Sequence, residues 1–283
     1  METRTEKIAR ISEIARRCRI HSLDMALNAG SNGAHLGPGY SEMDIMATLY
    51  FEVMRHDPKN PEWPDRDRFV LSKGHGVLGY YTMLAESGYF PVEELPSFET
   101  NDSFLAGHPS RDIAHGIEAT SGSLGMGISI AVGMALAAKR DGKKHRVYCL
   151  VGDGECDEGI VWEAVLCASQ YCLDNLCVIV DHNRLQSDGL SRDIIFMGDM
   201  DKKFAAFGFE TLTIDGHDIG QILDALHERS RPVGKPLAVI ANTIKGKGVS
   251  FMENNNDWHH HKLTAELYDA AKRELTWGGG SDD

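Results

Sequence analysis

At 283 residues, with 42% hydrophobic and 25% charged, the chain has the composition of a soluble globular protein and the length to bury a large core. Its formal net charge of −13 argues against a surface for nucleic acid or anionic membrane, so neither is expected as a partner. No basic segment followed by an apolar one opens the sequence, which therefore reads as cytoplasmic. Six cysteines without a CxxC pair read as reduced core thiols rather than disulfides or a zinc site. Cys156 falls in a turn where exposure is expected, yet no acid-base partner is placed by spacing, and it is read as a spectator.

In chain order, residues 5–29 have the spacing of an amphipathic helix, with Ile8, Ile11, Ala15 and Cys18 on one face. A glycine-rich loop follows (30–41), carrying His35, and then a second helix through Met54. A loop histidine is by default a solvated side chain, although loops of this composition often carry function. After a Pro- and Asp-rich connection, DRFVLSKGHG (67–76) reads as a short strand and a glycine turn bearing His75. A helix is predicted over 77–87, and AGHPS (106–110) places His108 before a proline. Residues 116–140 form the longest apolar stretch. Its glycines and serines favour a buried, closely packed helix over a membrane span.

The segment from Arg146 to Gly189 organises the rest. Val147–Val151 reads as a buried parallel strand, Gly152-Asp153-Gly154 as a tight turn, Glu158–Tyr171 as a helix, and Leu176–Val180 as a second buried strand ending in Asp181-His182-Asn183. This β-α-β unit sets polar groups at the carboxyl ends of two strands, where open α/β sheets bind ligands. The Asp153 carboxylate, the Asn183 amide oxygen and the Leu185 carbonyl are three oxygens suited to Mg²⁺, which shares its octahedral shell with phosphates. The bland alternative is a common GDG turn with an aspartate that caps a helix. Three histidines in separate loops are not at metal spacing. Downstream, 190–208 reads as a loop and short helix. Residues 208–222 give a strand and the turn Gly216-His217-Asp218, with a helix to Arg231, and Leu237–Asn242 is a last parallel strand. The run from Lys245 to Gly248 is either a phosphate cradle or an exposed loop. The whole reads as one α/β domain over 1–277 with a flexible tail at 278–283.

GDG, 28 intervening residues and Asn resembles the diphosphate-binding signature of thiamine diphosphate enzymes, and the flanking residues resemble transketolase. The DRF-x-LS-x-GHG and GHP motifs, the first glycine-rich loop and Gly122-Ser123-Leu124-Gly125, similar to the family's GPLG turn, extend the likeness over essentially the whole chain. The resemblance implies a three-layer α/β/α fold with a mostly parallel sheet. It further implies thiamine diphosphate held by Gly122, Ser123, Leu124, Gly152, Asp153, Gly154, Glu158, Asn183 and Lys245. Asp153, Asn183 and the Leu185 carbonyl would carry Mg²⁺, or Ca²⁺ or Mn²⁺ in its place. Glu158 would join a subunit-interface network. The DGHD element around His217 would be architectural. His35, His75 and His108 would line the substrate channel, joined by His260 with His259 as second choice.

In the family, the glutamate that protonates the cofactor's aminopyrimidine lies in a second, pyrimidine-binding domain. The resemblance therefore implies the N-terminal subunit of a split transketolase, completed by a separately encoded C-terminal subunit in an α2β2 heterotetramer. The reaction implied is transfer of a two-carbon ketol unit from a ketose phosphate to an aldose. The competing readings are a non-catalytic cofactor-binding partner, or a subunit like those of 1-deoxyxylulose-5-phosphate synthase or the 2-oxoacid dehydrogenases. The three histidine loops favour transketolase over the dehydrogenases.

Overall fold

The apolar runs pair as strands of one sheet. The structure, a computed structural model, describes residues 2–227 and 233–277. Strands β1 (Arg68–Leu71), β2 (Val147–Gly152), β3 (Leu176–His182), β4 (Glu210–Asp215) and β5 (Leu237–Asn242) lie in the order β1-β2-β3-β5-β4, each neighbouring pair parallel. Side chains alternate between two cores. Phe69, Leu71, Tyr148, Leu150, Ile179 and Val239 face one, and Val70, Cys149, Val151, Val178, Val180 and Ile240 face the other. A parallel sheet buried on both faces explains why β2 and β3 read as continuous apolar runs.

The first core is closed by α1 (Arg4–Ala29), α2 (Leu36–Ser41), α3 (Met43–Thr48), α4 (Val77–Ser87), and, from later in the chain, α9 (Ile219–Leu226) and α10 (Ala265–Trp277). The second lies under α5 (Met126–Arg140), α6 (Gly159–Gln170) and α8 (Met200–Ala206), with the single turn α7 (Ser191–Ile194) between α6 and α8 in sequence. The result is the three-layer α/β/α arrangement. A capping box starts α1, in which the Thr3 hydroxyl accepts from the Glu6 amide and the Glu6 carboxylate accepts from the Thr3 amide.

Several boundaries differ from the sequence reading. The helix expected through Met54 is α2, α3 and a π turn over Leu49–Val53, redirected at Glu42, whose side chain turns inward against Gly76 and Gly79. The stretch expected as a helix over 116–140 is helical only from Met126. Gly125 holds φ +80°, and a Cβ there would lie 2.4 Å from Ile160 Cγ2, so the chain before it turns instead. Cys156 is buried rather than exposed, and burial pushes its thiol well above the usual range. The last residues of the helix predicted to Arg231, 228–231, and the tail at 278–283 lie outside the described residues. Among the described residues no helix is long and apolar enough to cross a membrane.

The turn at Gly216–Asp218 is a junction. Asp218 caps α9 by accepting from the Gln221 amide. His217 Nδ1 pairs with Asp44 Oδ2 at 2.8 Å on α3, while His217 Nε2 accepts from the Ile244 amide at 2.8 Å beyond β5. Asp44 is also bidentate to the buried Arg19 of α1. Burial alone would raise the Asp44 carboxyl, but Arg19 and His217 outweigh it and hold it below the usual carboxylate range.

Candidate active site

Because β2 and β3 are adjacent, with Gly152 opposite Asp181, the turns that follow them meet. The Asp153 amide donates to the Asp181 carbonyl at 3.2 Å. Asp153 Oδ2 accepts from the Arg184 amide and the Ser191 hydroxyl, both at 2.9 Å. Arg184 takes the left-handed conformation, φ +66°, which folds the chain back after Asn183. Asn183 Oδ1 accepts from the Leu185 amide at 3.0 Å, and its Nδ2 donates to Asp181 Oδ2 at 3.2 Å. Asp181 is anchored in turn by Ser41 Oγ at 2.6 Å, by Thr243 and by the buried Lys73 ammonium. Burial raises the Asp181 carboxyl, but Lys73 outweighs it and the group is lowered. Lys73 also faces Glu42 at 2.8 Å. Burial pushes the Glu42 carboxyl up to about 8 against the pull of that lysine.

A cavity of about 280 Å³ opens over these turns. Gly152, Asp153, Gly154, Asn183 and Leu185 form one wall, and Gly122 and Leu124 of the turn before α5 form another. His35, His75, His108 and His259 close it. The imidazoles are in contact: His35 lies 5.7 Å from His75, 5.9 Å from His108 and 5.6 Å from His259, and His75 stacks on His259 at 5.2 Å between centroids. Burial and the neighbouring rings lower His35 to about 3, and burial with the nearby Lys245 charge lowers His259 to about 4. His75 is pushed well below its ordinary value, first by burial and then by Lys73. At neutral pH these three rings are uncharged, each able to donate one hydrogen bond and accept another.

Other candidates lie off the wall. Ser123 is exposed, and Glu158 is exposed at the start of α6. Lys245 is buried behind the cavity, bonded through Nζ to His259 Nδ1 at 2.8 Å. Of the consecutive histidines, His259 lines the cavity, while His260 is exposed and touches His35 from outside, 4.5 Å between centroids. Trp258, buried just before them, fixes that register.

Sequence reasoning missed Glu155. Its Oε1 accepts from Ser72 Oγ at 2.5 Å and the Gly125 amide at 2.8 Å, and its Oε2 accepts from the Gly152 amide at 3.1 Å. One buried carboxylate thus ties together the ends of β1 and β2 and the Gly122–Gly125 turn. The only signal was its place one residue after GDG. Lys73 and Asp181 lie inside the sequence motifs but carried no role there, since sequence does not show that their side chains meet.

The donor set fits a divalent cation. Asp153, Asn183 and Leu185 offer hard oxygens at one edge of the cavity, and among the described residues the Leu185 carbonyl accepts no hydrogen bond. Burial first, and then Asp181, raise the Asp153 carboxyl, so its anion is held at a cost that a bound cation would offset.

The sequence profile of "Transketolase, thiamine diphosphate binding domain" matches residues 11–281. The chain is 46% identical over 252 residues to an apulose-4-phosphate transketolase subunit of Actinobacillus succinogenes, covering 89% of this chain and 91% of that one. It is 44% identical over 241 residues to the 6-deoxy-6-sulfo-D-fructose transketolase subunit SqwG of Clostridium sp. (strain MSTE9), covering 85% and 88%. The solved transketolase of Campylobacter jejuni superposes with TM-score 0.86 at 34% identity, over 94% of this chain and 42% of that one. The chain therefore belongs to the transketolase family, as a thiamine diphosphate-binding domain. The match spans 91% and 88% of those two subunit chains and 42% of the Campylobacter jejuni transketolase.

Proposed function

We propose that this chain works as the N-terminal subunit of a two-subunit transketolase, transferring a two-carbon ketol unit from a ketose phosphate to an aldose acceptor. The observation that carries the reading is one cavity joining an oxygen triad for a cation to a ring of neutral imidazoles. Asp153, Asn183 and the Leu185 carbonyl would hold Mg²⁺, with Ca²⁺ or Mn²⁺ as substitutes. Gly122, Leu124, Gly152 and Gly154 let backbone approach the diphosphate, and Lys245 contributes positive charge from behind. Thiamine diphosphate, when bound, supplies the electron sink for cleaving and forming the carbon–carbon bond.

The chain's own part is to orient sugar oxygens and move protons. His35, His75, His108 and His259 line the same cavity, and the uncharged rings of His35, His75 and His259 suit hydrogen bonding to the carbonyl and hydroxyl oxygens of a sugar. The low dielectric of the buried site strengthens each such bond. A separately encoded pyrimidine-binding subunit completes the site in an α2β2 assembly. The relatives named as transketolase subunits, rather than as whole transketolases, support a separate partner. We place the assembly in the cytoplasm.

The test is ketol transfer from xylulose 5-phosphate to ribose 5-phosphate with thiamine diphosphate and Mg²⁺, run on the chain alone and with its candidate partner. Activity in the mixture alone is expected. Activity of the single chain would remove the two-subunit reading, and pyruvate-dependent product in the mixture would move the reaction to another thiamine class. Asp153→Ala is expected to abolish Mg²⁺-dependent cofactor binding, read by calorimetry, with the circular dichroism spectrum unchanged.

A further inference from the structure

Lys245 is among the largest fully buried side chains of the protein, 1% exposed. Its Nζ has three neighbours at hydrogen-bond distance: the Gln186 carbonyl at 3.2 Å, Asn256 Oδ1 at 3.2 Å and His259 Nδ1 at 2.8 Å. An ammonium has three protons to donate and no lone pair with which to accept. Two of the neighbours are oxygens that can only accept, so the third proton points at His259 Nδ1. That nitrogen must present its lone pair, and the ring proton is then on Nε2.

From this geometry we infer that Lys245 is a positioning residue that locks His259 in the Nε2–H tautomer, so that His259 meets a ligand in the cavity as a hydrogen-bond donor rather than as a base. Among the described residues His259 Nε2 makes no hydrogen bond, and the ring lines the cavity. The ring packs against His75, 5.2 Å between centroids. Burial, then the nearby Lys73 charge, lowers Lys245 only to about 8, which leaves it an ammonium at neutral pH. The tautomer follows from the chain alone; its meaning for catalysis, a donor to the ketose oxygen, rests on the transketolase reading.

The experiment uses the full chain, without substrate or partner, labelled with ¹⁵N-histidine, and reads long-range ¹H–¹⁵N correlations near neutral pH. His259 is assigned by the loss of its signals in His259→Gln. The expected result is an unprotonated Nδ1 and a protonated Nε2; a protonated Nδ1, or nitrogens averaged between two tautomers, overturns the proposal. In Lys245→Met, which keeps the side-chain length but not the donors, the two nitrogens are expected to shift toward an averaged mixture. Retention of a pure Nε2–H form would remove Lys245 from the role. Should that variant fail to fold by circular dichroism, wild-type chain labelled with ¹⁵N-lysine decides. A slowly exchanging Lys245 ammonium signal supports the three-acceptor arrangement, and rapid exchange with water overturns it. Because no turnover is measured, failure here is separate from failure of the ketol-transfer assay.

Discussion

At the scale of single residues, the cavity is built from groups whose burial sets their protonation. His35 and His259 take up protons only near pH 3 and pH 4 in the fold, whereas an unfolded histidine does so near 6.5. Between those values the unfolded chain binds more protons, so stability is lost as pH falls from about 6.5 toward 4. Urea unfolding of the double variant His35→Asn/His259→Asn should therefore show a shallower loss between pH 7 and pH 5 than wild type; an identical slope would mean the rings are not desolvated. Glu155 makes a different prediction. Glu155→Ala leaves the Ser72 hydroxyl and the Gly125 and Gly152 amides without their acceptor, each costing about 1–3 kcal/mol. A destabilisation of several kcal/mol is expected, with weaker cofactor affinity because both glycine turns lose their anchor. These two cases mark the limits of a sequence. The histidines announce themselves by lying in glycine loops, but His259 against His260 is a question of which ring Trp258 and Lys245 hold inward. Glu155 reads as one more acid in an acidic chain until its three donors are seen.

At the scale of elements, β2, β3 and β5 were legible because a sheet covered on both faces demands apolar runs there, and the helix at Val77–Ser87 because its ends carry glycines. The order β1-β2-β3-β5-β4 was not, since β5 inserts between β3 and β4 through contacts far apart in sequence. Nor was the break at Glu42, which answers to the glycines of α4 rather than to its own neighbours. The Arg19–Asp44–His217 junction ties α1, α3 and the β4–α9 turn, which gives the expected architectural role of the DGHD element its contacts. Breaking a buried pair leaves an uncompensated charge, so Asp44→Asn is expected to cost about 3–5 kcal/mol in chemical denaturation. Arg19→Met added to it should recover part of the loss, because the orphaned guanidinium goes too.

At the scale of the whole molecule, binding at the strand ends acts on the fold. A ligand held by the folded chain and not the unfolded one stabilises it by mass action, about 2.7 kcal/mol at a hundredfold excess over Kd. Thiamine diphosphate with Mg²⁺ is expected to raise the unfolding temperature of the isolated chain, EDTA to abolish the rise, and Asp153→Ala to be unresponsive to both. A shift that survives EDTA would place the cofactor elsewhere. Sedimentation of the chain with its partner should give the mass of an α2β2 complex.

Two adjacent residues beyond β5 give the molecule an internal standard. The Ile244 amide can only donate, so His217 Nε2 is the nitrogen without a proton and Nδ1 carries it toward Asp44. One residue on, Lys245 imposes the opposite choice on His259. A single spectrum of the labelled protein thus contains both imidazole forms, each dictated by a neighbour in the same turn. The His217 resonances serve as the reference against which those of His259 are read, under identical pH, temperature and solvent.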